Sequence, residues 1–146
     1  MKKIFVVSAV MLAMAACSSD DGSGSSDGFQ CDVSRSDDTV RLLESYKGLI
    51  HEETVMVSLD ASGQKKADIV QKVTYPDASV AQRMCAEKQD DAHDASQSYQ
   101  VQCYGNTVES YFVERDDLDA SEYRASFEAR CAKMRKAAEN GELDEM

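Results

Sequence analysis

The sequence predicts an α+β fold: an antiparallel sheet of about six strands with two amphipathic helices on one face, in the order β-β-β-β-α-β-β-α, braced by two disulfides. Three observations carry this expectation. Between residues 29 and 75, and again between 98 and 113, short runs alternate β-branched or aromatic residues with polar ones and are bounded by turn residues. Two stretches, opening at Asp77 and Asp119, instead repeat apolar residues every three or four positions. Four cysteines, Cys31, Cys85, Cys103 and Cys131, stand within these elements and suit two bridges.

The first strand runs from Phe29 to Arg35 with Phe29, Cys31 and Val33 on one face, and Ser36-Asp37-Asp38 turns the chain. Thr39 to Lys47 reads as the second strand. The segment from Asp37 to Lys47, followed by Gly48, also fits a short helix with a glycine C-cap; Thr39, Val40 and the flanking strands favour the strand. Ile50 to Leu59 forms the third strand, with Val55, Val57 and Leu59 facing inward. After Ala61-Ser62-Gly63 the fourth strand covers Lys66 to Tyr75, with Ile69, Val73 and Tyr75 on one side, and Pro76 ends it.

Asp77 is placed as an N-cap, followed by Val80, Ala81, Met84, Cys85 and Lys88 on a helix that ends near His93. Ser98 to Tyr104 and Thr107 to Val113 then flank Gly105-Asn106, the signature of a two-residue hairpin turn of type I′ or II′. That turn sets the register: Tyr104 opposite Thr107, Cys103 opposite Val108, Val101 opposite Ser110, Tyr99 opposite Phe112. Gln100, Gln102, Tyr104, Glu109 and Tyr111 are then left on the outer face. The last helix opens at Asp119, with Glu122 three residues on and Leu118 and Tyr123 spaced as a hydrophobic staple. Tyr123, Phe127, Cys131 and Met134 form its apolar stripe, Asn140-Gly141 stops it, and residues 141–146 read as a frayed acidic tail. Residues 29–140 are thus one domain with one core.

If the first helix runs back along the strand after it, Cys85 lies roughly 12 Å before the helix end and Cys103 roughly 13 Å along the strand. Of the three possible connectivities this favours Cys85 with Cys103, leaving Cys31 to join Cys131. Zinc is disfavoured because no two of these cysteines are closer than 18 residues apart.

The amino terminus carries a different message. Met1-Lys2-Lys3 is positive, and Ile4 to Ala16 is uncharged and mostly apolar, as in a secretory signal. Its 13 residues would reach only roughly 20 Å as a helix, short of a ~30 Å hydrocarbon core. Ala15 and Ala16 directly precede Cys17, so Met14-Ala15-Ala16-Cys17 resembles the lipobox of bacterial lipoproteins, with Met14 where that family most often has leucine. The resemblance implies removal of residues 1–16 and lipid on the thiol of Cys17, and it explains the odd count of 5 cysteines. Residues 17–28 then form a tether; SSDDGSGSSDG holds no apolar side chain and reaches on the order of 18 Å. Ser18 after the cysteine resembles outer-membrane sorting in that family, and Asp20-Asp21 resembles tags that send some members to the cell surface. The expected location is therefore the outer membrane, facing the periplasm or the surface. The domain, with its strand order and four cysteines, is similar to small disulfide-braced bacterial lipoproteins that carry no assigned activity.

Removing Lys2 and Lys3 with the signal takes the net charge from −11 to −13. Such a chain is repelled by nucleic acid and by anionic headgroups, so nucleic acid is not an expected partner and the bilayer is met through acylated Cys17 alone. No cofactor is expected, and no enzyme motif is present. His51 and His93 read as exposed histidines, and Asp90, Asp91, His93 and Asp94 lack the spacing of an EF-hand loop. The expected function is a non-enzymatic binding or structural module whose partner is an envelope protein or polysaccharide, with Gln100, Gln102, Tyr104 and Tyr111 as a recognition face. The alternative is an inhibitor of a basic hydrolase, a lysozyme or a protease, steered by the negative charge.

Overall fold

The computed structural model describes residues 28–94 and 99–145. Cys17, the residues before it and nearly all of the tether lie outside them. The strands are β1 (Gln30–Ser36), β2 (Thr39–Tyr46), β3 (Leu49–Leu59), β4 (Lys65–Thr74), β5 (Gln100–Tyr104) and β6 (Thr107–Glu114); the helices are α1 (Ala78–Asp94) and α2 (Ala120–Glu139). All neighbouring strands pair antiparallel, in the order β1-β2-β3-β4-β6-β5. The segment from Thr39 is a strand, as its β-branched start favours, and it ends at Tyr46 with Lys47 in the turn. At the β2–β3 turn both Lys47 (φ 48) and Gly48 (φ 82) are left-handed, the geometry that follows the twist of paired strands. A Cβ at Gly48 would meet Pro76 Cβ at 3.1 Å, so this glycine also admits the close approach of the chain leaving β4.

Pairing lines up side chains across the sheet in rows. One row on the inner face runs Cys31, Glu44, His51, Val73, Val108, Cys103. Both end members are half-cystines: Cys31 joins Cys131 of α2 and Cys103 joins Cys85 of α1. Both helices therefore lie on the same face, α2 over β1, β2 and β3 and α1 over β5 and β6. The core between them holds Val40, Leu42, Val55, Ala67, Ile69, Tyr99, Phe112, Tyr123 and Phe127. Tyr99 and Phe112 stack with ring centroids 5.8 Å apart, as the hairpin register requires.

Both helices start on aspartate. Asp77 Oδ1 accepts from the backbone N–H of Ser79 (2.7 Å) and Val80 (3.2 Å). Asp119 accepts from Ser121 and Glu122 while Glu122 Oε2 takes the Asp119 N–H at 2.8 Å, a complete capping box.

Two expectations need correction. Leu59 is not on a buried face: it is 65% exposed. Pairing of β3 with β2 stops at Met56 and the Val57 N–H bonds to Asp38 O of the β1–β2 turn, so Ser58 and Leu59 run on paired with β4 alone. Residues 141–145 are not frayed either. Gly141 (φ 73) reverses the direction after α2, residues Glu142–Glu145 form a 3-10 turn, and Leu143 folds back to 9% exposure.

Candidate functional site

The inner-face row holds two polar residues where apolar ones would be expected. Glu44 in β2 and His51 in β3 stand directly opposite each other, and α2 brings Arg130 over both. Arg130 sits one residue before Cys131, whose bond to Cys31 fixes that part of the helix over the Cys31–Glu44 pair. Arg130 donates through Nε to Glu44 Oε1 (2.8 Å) and through Nη2 to Oε2 (2.7 Å), a two-pronged charge-assisted pair. His51 Nδ1 lies 2.6 Å from Glu44 Oε2. The side chains of Glu44 and His51 are only 6% and 13% exposed. Burial by itself raises the carboxyl of Glu44, but the hydrogen bonds from His51 and then Arg130 outweigh it and hold the group below its ordinary value of 4.5. An ionised carboxylate only accepts, so Nδ1 of His51 carries the shared proton. That leaves Nε2 as an acceptor in the neutral ring and a donor in the charged one; among the described residues it has no hydrogen-bond partner.

His51 is thus not the solvated histidine expected from its acidic neighbours Glu52 and Glu53. Strand alternation turns it to the helix side. His93, at the end of α1, is exposed.

These three groups form one corner of an open-sided cavity of about 380 Å³. Its other walls are mostly apolar: Phe29 ahead of β1, Tyr46 and Leu49 at the β2–β3 turn, Val73 of β4, Met134 of α2 and Leu143 of the 3-10 turn, with Ser45 beside Glu44. A mostly apolar hollow of this size with a few convergent polar groups is the usual form of a small-molecule site. A second hollow, about 500 Å³ at the β1–β2 turn, is lined by residues 34–39 and Arg41, which offer no comparable apolar wall.

The hairpin face lies elsewhere, on the opposite side of the sheet. Register places Gln100 opposite Tyr111 and Gln102 opposite Glu109, with Tyr104 at the strand end. The two tyrosine hydroxyls are engaged: Tyr111 donates to Asp68 Oδ1 (2.8 Å) and Tyr104 to Glu109 Oε2 (2.9 Å). Partial burial and then the Glu109 carboxylate push the Tyr104 hydroxyl up to about 12. Gln100, Gln102, Tyr104 and Tyr111 therefore share one face, with the 47% exposed ring of Tyr104 as its apolar element.

Among the described residues, no group of three or more His, Cys, Asp and Glu is arranged to hold a metal ion, and no helix is long and apolar enough to cross a membrane. The expected pairs Cys85–Cys103 and Cys31–Cys131 are both formed, with Cα separations of 6.1 and 5.7 Å. Comparison with family models, curated proteins and solved structures returns no match.

Proposed function

We propose that this chain is a lipid-anchored protein of the bacterial cell envelope that acts as a binding module, and that its ligand enters the cavity beneath α2. The observation that carries the anchor is the cysteine count. Four of five cysteines are consumed in two bridges, as an oxidising compartment favours, and the fifth is Cys17, directly behind an apolar leader and a pair of alanines. The cavity supports the binding role. Its polar corner combines a locked carboxylate with an imidazole nitrogen that no described side chain hydrogen-bonds, a position open to a ligand's polar group.

Two measurements test the two halves. Cys17→Ser should move the protein from the membrane fraction to the soluble envelope fraction with both disulfides intact; continued membrane fractionation counts against the anchor. Native mass spectrometry of the exported Cys17→Ser chain should show a non-covalent adduct that disappears when Met134→Trp fills the cavity. An adduct absent from both chains, or unchanged by the tryptophan, counts against the cavity as the ligand site.

A further inference from the structure

The chemistry of the cavity's two ends narrows what it holds. We propose that it takes a long-chain carboxylic acid, its alkyl chain against Phe29, Leu49, Val73, Met134 and Leu143 and its carboxyl group on Nε2 of His51. The assignment rests on reading the cavity as the ligand site.

The apolar walls remove from water a chain that has nothing to hydrogen-bond. The corner is suited to an acid in particular. Glu44 fixes the proton on Nδ1, which leaves Nε2 of this cavity-lining ring as the nitrogen open to a ligand, and the two protonation states of an acid match the two states of the ring. A carboxylic acid donates to the neutral imidazole; a carboxylate accepts from the charged one, and that second bond is charge-assisted. The Glu44 carboxylate next to the site is offset by Arg130, which grips both of its oxygens. An alcohol or an ester of the same length would meet the same walls but carries no charge to pair with the protonated ring.

Position adds a source. Phe29, which lines the cavity, stands twelve residues after Cys17. Twelve residues extend to at most about 40 Å, which keeps the cavity within reach of the bilayer that would supply fatty acid.

The probe is dodecanoic acid labelled with ¹³C at the carboxyl, titrated into the exported Cys17→Ser chain, with 1-dodecanol as the comparison. One equivalent of acid should bind, with the label's resonance shifted, and the alcohol should bind about tenfold more weakly or worse. His51→Leu should abolish the acid's preference, weakening the acid far more than the alcohol; Met134→Trp should weaken both. Circular dichroism melting of each variant establishes that it is folded. Equal binding of acid and alcohol, or a preference that survives His51→Leu, overturns the headgroup assignment, and no binding of either overturns the acyl ligand. If dodecanoic acid fails while the native adduct is still lost in Met134→Trp, the acid class falls and the cavity stands as the binding site.

Discussion

Glu44 is the residue on which the candidate site turns. Its carboxylate takes both prongs of Arg130 and the proton of His51, and its stabilising contribution has a definite pH sign. A carboxyl held below its unfolded value adds stability above that value and loses it as pH falls through the folded one. The protein should therefore weaken on acidification below 4.5, while Glu44→Gln, which cannot ionise, shows a shallower decline in the same range. At neutral pH, Glu44→Ala should cost about 1–3 kcal/mol by denaturant unfolding; Arg130, a third exposed, can turn to water and soften the loss. The sequence held a signal for this cluster. Alternation from Val40 and Leu42 turns Glu44 inward, and the expected Cys31–Cys131 bond carries Arg130 to the same place. What hid it is that Glu52 and Glu53 make His51 look like part of a solvated charged run.

At the scale of elements, turns and caps were legible because their chemistry is local. Gly105-Asn106 set the hairpin register for every pair from Tyr104–Thr107 to Gln100–Tyr111, and Gly105 alone takes a positive φ (56), which selects type II′ from the two turns expected. Leu59 misleads for the opposite reason: its alternation is regular, but burial depends on how far β2 extends alongside, and no residue of β3 encodes that. The bridges act between elements and differ in span. Closing 100 residues, Cys31–Cys131 should contribute about 4.7 kcal/mol, and Cys85–Cys103, closing 18, about 3 kcal/mol, in the chain-entropy view. Paired serine substitutions, compared by urea unfolding, should follow that order. A larger loss for Cys85 and Cys103 would show that local packing between α1 and β5 outweighs loop closure.

For the whole molecule, the fold class followed from periodicity and turn spacing, whereas the cavity did not. It is assembled from the entry to β1, the β2–β3 turn, β4, α2 and the 3-10 turn after Gly141, so no single stretch announces it. Leu143 in particular closes a wall from a segment whose acidic composition reads as frayed. The proposed anchor, Cys17, lies outside the described residues, and both location and ligand source follow from it. Intact mass spectrometry of the protein extracted from membranes under non-reducing conditions tests it most directly. The account expects a chain that begins at Cys17, carries acyl groups on that residue and holds two disulfides; a chain with a free Cys17 thiol, or one beginning at another residue, contradicts it.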